Sequence, residues 1–199
     1  MNDAYLRTSI EPDSTQLNAD DLMAGPLTVT VLQVKQGPSR EQPVEIVIDG
    51  HRPFRPCKSM RRVLIACWGD NGQDWVGRSM TLYADPGVKF GGVAVGGIRI
   101  SHLSDIDEDE KSLLLTTART KRAPFIVRRL TDLPPSYPED DFKTNVNAWV
   151  SAINGGNLTV PGLIQKVAKK GRLTAKQIKE IERLVNRKTE TLPDQMQTD

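Results

Sequence analysis

One helix-patterned segment set among strand-patterned ones constrains this chain more than any other feature. In "KSMRRVLIACWG", residues 58–69, Met60, Val63, Leu64, Cys67 and Trp68 recur at helical spacing, and Gly69 stands where a helix ends. The segments before it follow a period of two. "LTVTVLQV" (27–34) sets Leu27, Val29 and Val31 against Thr28, Thr30 and Leu32. "VEIVIDG" (44–50) alternates and ends on a turn signal. "HRPFRP" continues extended, because a residue before proline is pushed away from helical backbone. After the helix, "DNGQDW" reads as a turn and "VGRSMTLYAD" as a strand.

The next stretch, "DPGVKFGGVAVGGIRI" (85–100), invites a phosphate-loop reading that its spacing refuses. A phosphate loop needs GxxxxGK[ST] between strand and helix, and no Lys follows a Gly here. A dinucleotide fingerprint must open a helix, whereas "IRIS" follows. Strand, glycine-bearing turn or bulge, and strand fits instead. "SLLLTTARTKRAPFIVRRL" (112–130) then reads as a β-hairpin with its tip at "ARTKRAP".

"TDLPPSYPEDD" marks a linker, with three prolines and a change of composition. Beyond it, Phe142, Val146, Trp149, Val150 and Ile153 share one helical face, and Gly155-Gly156 stops that helix. Two shorter helical units follow, each starting Leu-Thr: Thr159 as N-cap with Pro161 in the first turn, and Thr174 with Gln177 as a capping box. The expected organisation is a flexible arm (1–18), a mainly β domain containing one helix (19–131), a linker (132–139), a three-helix module (140–188) and a disordered tail (189–199).

Strand, strand with an extended continuation, helix, strand, strand sets a helix in the middle of five strands, the arrangement of an OB-fold barrel, here with an added hairpin. A small α+β sheet domain would read the same way. Residues carry a resemblance as well. "LNADDLMAGPLTVTV", "DWVGRSMTLYADPGVKFGGVAVGGIRIS" and "KRAPFIVRRL" resemble phage-encoded single-stranded DNA-binding proteins with an OB-fold domain. "AWVSAINGGNLTVPGLIQKVAKKGRLTAKQIKEI" is similar to terminal segments of phage recombination proteins. The resemblance spans residues 17–130 and, separately, 140–184. It implies a fold and a class of partner, and it supplies no catalytic residues.

Net charge is only +2, but the charges are segregated. Residues 51–62 hold Arg52, Arg55, Lys58, Arg61 and Arg62 and no acid. Residues 112–130 hold Arg119, Lys121, Arg122, Arg128 and Arg129, again with no acid. Nine basic residues face Glu180 and Glu182 between 166 and 188, while "DIDEDE" (105–110) gathers five acids. Single-strand binding needs cations along a backbone path and flat side chains for base stacking. Arg78, Lys89 and Arg99 complete the cation set. Phe54, Trp75, Tyr83, Phe90 and Phe125 are the stacking candidates, each also a candidate for core. Trp68 and Trp149 lie on apolar helical faces and read as core.

Enzyme chemistry has little to stand on. No nucleophile–base motif is present, and consecutive acids in "DIDEDE" point apart rather than converge on a metal. Cys57 and Cys67 are the only cysteines, with no CxxC and no His cluster, so neither metal nor cofactor is expected. The longest apolar run, residues 63–68, is too short to span a bilayer, and no secretory leader is evident at the start, which favours the cytoplasm, here that of a bacterial host. The expectation is a non-catalytic single-stranded DNA-binding protein of phage replication or recombination, with little sequence preference. Its expected partners are single-stranded DNA, recombination or replication proteins reached through the C-terminal helices, and further copies of itself. The alternatives are a protein-interaction module regulating a recombinase or nuclease, and a nuclease subunit.

Overall fold

The computed structural model describes residues 14–90, 93–118 and 121–190. In chain order these form β1 (Leu27–Gln36), β2 (Val44–Ile48), α1 (Lys58–Trp68), β3 (Ser79–Asp85), β4 (Lys89–Phe90), β5 (Val93–Ala94), β6 (Gly97–Leu103), β7 (Glu110–Ala118) and β8 (Lys121–Arg129). Three helices follow: α2 (Glu139–Asn154), α3 (Val160–Val167) and α4 (Ala175–Glu190). Short 3-10 turns lie at Ala19–Leu22 and Gly72–Trp75.

Six strands make one mixed sheet in the order β2-β1-β3-β6-β8-β7, and β4 and β5 make a separate two-stranded ribbon. Every pairing in the sheet is antiparallel except β6 with β8. The five-stranded barrel with an added hairpin is thus met as a six-stranded open sheet, with β2 and β7 at its edges. Two physical reasons account for the opening. β8 takes the edge of β6 that a closing strand would need. The extended run after β2 makes only an isolated bridge, Ile46 to Phe54, since Pro53 and Pro56 on either side lack N–H donors. The two sides of the curl still meet: the Ile100 N–H donates to the Met60 sulfur at 3.3 Å, and Arg99 Nη1 lies 3.7 Å from Cys57 Sγ.

Alternation builds the first core. Val29, Val31, Ile46, Met80, Leu82, Ile100 and Leu103 point from the sheet onto Met60, Val63, Leu64 and Trp68 of α1. A register shift between Val31 and Gln33 leaves Leu32 without a partner on β2, and strand alternation sets it on the face opposite Val31. There, with Val76, it enters a second core made by Phe142, Val146, Trp149, Val150, Leu163, Ile164, Ile178 and Ile181. The helical module is therefore docked on the back of the sheet. Gly77 (φ 80°) permits the close approach, since a Cβ there would stand 1.9 Å from Ile178 Cδ1. The linker is pinned too. The Tyr137 N–H donates to the Arg172 carbonyl and the Arg172 N–H to the Pro135 carbonyl, each at 2.8 Å, and the Tyr137 ring packs edge-on to Trp149.

Residues 14–18 of the expected flexible arm are held in place. Leu17 is buried in the first core and its N–H donates to the Pro53 carbonyl at 2.9 Å. Residues 1–13 and the tail 191–199 lie outside the described residues, and α4 continues through residues 189–190. No described helix is long and apolar enough to cross a membrane.

Candidate functional site

Register brings separate pieces of sequence to one end of the sheet. β3 ends there with Tyr83 opposite Arg99 and Asp85 opposite Gly97. The β4–β5 ribbon, joining Asp85 to Gly97, projects from the same end, with Gly96 in the left-handed region at φ 73°. β8 runs parallel to β6 with His102 opposite Arg128. Among the described residues the two strands pair only there and at Leu103–Arg129. Because the two strands are parallel, β8 starts on the side of the Gly97 end of β6. The start of α1 is drawn to this end by the Cys57–Arg99 contact.

At the Gly97 end, beside the ribbon and the start of α1, lies an open groove of about 340 Å³. Residues Gln16–Asp20 form one wall, Phe54, Arg55 and Cys57 the floor, and Val88 with Val95–Arg99 the other wall. Its arginines are answered by carboxylates. Arg55 donates from Nε to Glu45 Oε2 at 2.8 Å, and its Nη2 lies 2.7 Å from the same oxygen. Lys35 meets the other Glu45 oxygen at 2.9 Å. Hydrogen bonds from Lys35 and Arg55 hold the buried Glu45 carboxyl below the usual range, against the opposing effect of burial. Arg52 Nη2 lies 2.5 Å from Asp21 Oδ1, and Arg99 Nε lies 3.4 Å from Asp85 Oδ2. Burial and the neighbouring Asp85 push the Tyr83 hydroxyl up.

Of the cations expected to bind, Lys58, Arg62, Lys89 and Arg122 have no carboxylate partner among the described residues, and all four are exposed. Lys121 is exposed beside Arg122 on the tip. Arg61 is half-buried and turns back to the Pro56 carbonyl at 3.3 Å. Arg128, at the far end of β8, is exposed and 4.0 Å from Glu110. Arg78 is not part of the groove: its guanidinium lies 5.7 Å from the Trp68 ring centre, on the side of the helical module. Arg119 and the Phe90 side chain lie outside the described residues.

Two stacking candidates are corrected. Phe54 is 2% exposed, a pillar of the first core. Trp75 is 4% exposed, packs 6.2 Å from Trp68 and donates its indole N–H to the Gly69 carbonyl. Neither can offer a ring face to a base without unfolding its surroundings. Phe125 is half-buried against the first core, opposite Leu113. Tyr83 is half-buried beside Arg99. Sequence reasoning misses Gln16, Asn18, Asp20 and Cys57, which line the groove, because a polar segment with one buried leucine shows no periodicity.

The acidic loop lies at the opposite end of β6. Arg129 organises it, donating to the Asp107 and Glu108 carbonyls and pairing with Asp109 at 3.6 Å. Asp105 (φ 55°) accepts from Ser104 Oγ, whose oxygen accepts from the Ser79 N–H. The carboxylates diverge: Asp105 toward Arg172, Glu110 toward Arg128. Among the described residues, no group of three or more His, Cys, Asp or Glu is placed to hold a metal ion.

Compared with protein-family models, with curated proteins and with solved structures, the chain matches none.

Proposed function

We propose that this chain is a non-catalytic single-stranded DNA-binding protein of phage replication or recombination, acting in the host cytoplasm through an OB-like curled sheet. The phage role rests on the sequence resemblance. The binding role rests chiefly on one observation: the exposed Lys58 and Lys89, on separate elements, each adjoin a groove-lining residue, Cys57 and Val88, at one end of the sheet. Exposed cations on a path are what counterion release requires. The OB-like description is supported by the β1–β3 pairing, by the helix between two strand pairs, and by the contacts that bring residues 57 and 60 back to β6. The separate directions of the acidic side chains favour a non-catalytic role.

The test is fluorescence anisotropy with labelled oligo-dT, a matched duplex and a salt series. Binding to the single strand, weakening with a slope of about 0.7 per phosphate contact, is the expected result. Cys57 is a built-in reporter: it is exposed on the groove floor, while Cys67 is half-buried with its thiol pushed up by burial. Oligo-dT should slow maleimide labelling of Cys57. Equal labelling with and without saturating oligonucleotide sinks this placement.

A second reading has its own observation. Leu114 and Ile126 stand 63% and 43% exposed on the outer face of the β7–β8 hairpin. Exposed apolar residues on an edge hairpin suit a protein partner such as a recombinase or nuclease. In that case Leu114→Ser abolishes the protein contact and leaves oligonucleotide affinity unchanged.

A further inference from the structure

Two arginines, Arg52 and Arg55, also meet oxygens of one short segment, residues 14–21. Arg52 Nη1 donates to the Ser14 carbonyl at 2.9 Å, and Nη2 to Asp21 Oδ1 at 2.5 Å. Arg55 Nη1 donates to the Thr15 hydroxyl at 3.2 Å and to Gln42 Oε1 at 3.4 Å. Gln42 in turn donates to Gln16 Oε1 at 2.8 Å. The segment is anchored at its centre by buried Leu17 and at its end by the 3-10 turn, where the Asn18 N–H donates to Asp21 Oδ2 at 2.7 Å. It thus lays a carbonyl and a carboxylate on Arg52 and a hydroxyl on Arg55, which lines the groove.

We infer that residues 14–21 are a built-in competitor for nucleic acid, holding Arg52 and Arg55 on oxygens that strand phosphates displace. This rests on the single-strand reading above. The two arginines differ in how readily they exchange. Arg55 and Glu45 have side chains 12% and 9% exposed, and the strap takes only a spare nitrogen of that buried pair. Arg52 and Asp21 are 32% and 21% exposed. A pair so open to water is worth about 1 kcal/mol or less, and a phosphate offers the guanidinium a bidentate partner in its place. Arg52 is therefore the residue that switches partner. The strap weakens binding without abolishing it, and it disfavours ligands that cannot replace two oxygens at once. Short or sparsely charged strands are discriminated against; a continuous single strand is not.

The test compares wild type with Asp21→Asn, Asp20→Asn, Thr15→Ala, Arg52→Ala and the Arg52→Ala/Asp21→Asn double variant, by oligo-dT anisotropy over a salt series. Asp20 borders the groove without reaching Arg52, so Asp20→Asn corrects for loss of one negative charge. Asp21→Asn should bind about fivefold more tightly than wild type. Its salt slope should steepen by about 0.7, one added phosphate contact. Asp20→Asn should leave the slope unchanged, and Arg52→Ala should erase the Asp21→Asn gain. The strap is overturned if Asp21→Asn, with an unchanged melting temperature, exceeds Asp20→Asn in neither affinity nor slope. It is equally overturned if the gain survives without Arg52. Should Asp21→Asn loosen the turn and lower the melting temperature, Thr15→Ala decides: it removes the strap's one hold on Arg55, which Glu45 and Gln42 still bind, without touching the turn, and binding no tighter than wild type rejects the strap. Absence of binding by every chain, wild type included, rejects the single-strand reading itself and the strap with it.

Discussion

The two ends of β6 solve the problem of local charge in opposite ways. At the Gly97 end, each arginine near the groove is matched by one carboxylate: Arg52 by Asp21, Arg55 by Glu45, Arg99 by Asp85. Lys58 and Arg62 on α1 and Lys89 on the glycine ribbon are exposed and have no carboxylate partner among the described residues. At the Leu103 end Arg129 holds the loop largely through backbone carbonyls, and Asp109 beside it stays 98% exposed. A net charge of +2 thus conceals two opposed surfaces. The difference teaches that the arginines nearest the groove are architecture first, and that the outward positive field comes from residues farther out.

The largest expected effect removes a pillar under the basic end. Phe54→Ala empties a fully packed site in the first core and should cost about 3–5 kcal/mol, read as a lower melting temperature. A variant that melts like wild type yet loses oligonucleotide affinity would return Phe54 to the binding surface and break the distinction between pillar and display.

Next is Glu45→Gln, which leaves Lys35 and Arg55 without their shared carboxylate. The expected cost is on the order of 2 kcal/mol at neutral pH. The sign follows from a carboxyl held below its ordinary value: the stabilisation is complete above the ordinary glutamate pKa and is lost as pH falls through the depressed folded value. Wild type and Glu45→Gln should therefore differ at pH 7 and converge in the acid limb of an unfolding series. Parallel stability curves down to the lowest pH would show that Glu45 does not carry the pairing.

These two residues also mark where the sequence can and cannot be read. Periodicity places the buried faces of α1 and α2, because Met60, Val63, Leu64 and Trp68 repeat as a helix demands, and so do Phe142, Val146, Trp149 and Val150. Local chemistry places the caps: Thr159 Oγ1 accepts from the Gly162 N–H, and Thr174 and Gln177 bond reciprocally. Phe54 is easily misjudged because it adjoins Arg55. In extended chain, adjacent side chains face opposite ways, so a charged neighbour argues for an inward ring, not an exposed one. The Leu17 anchor, the β6–β8 pairing and the docking of α4 through Gly77 each join residues far apart in sequence, and no local pattern encodes such a contact.

A smaller effect is expected on the displayed cations. Lys121→Ala with Arg122→Ala should weaken oligo-dT binding about tenfold at low salt and flatten the slope by about 0.7 for each phosphate no longer held. Stability should hardly change, since both side chains are exposed. Phe125→Ala on the same strand should do the reverse and lower the melting temperature first, because the ring packs on the first core. Wild-type affinity and slope in the double variant would move the binding path to Lys58 and Arg62.

The smallest effect lies at the acidic end. β6 has seven residues, so the loop stands roughly 20 Å from the groove at about 3.3 Å per residue. One carboxylate and one phosphate that far apart in water repel by about 0.2 kcal/mol. Converting Asp107 and Asp109 to Asn should therefore tighten binding only about twofold. Screening supplies the control. The Debye length is about 30 Å at 0.01 M salt and about 10 Å at 0.1 M, so the gain should be present at the lower concentration and absent at the higher. A gain that persists at 0.1 M would mean that the loop touches the strand directly. The two ends of the sheet would then act on the nucleic acid by contact rather than one by contact and the other by field.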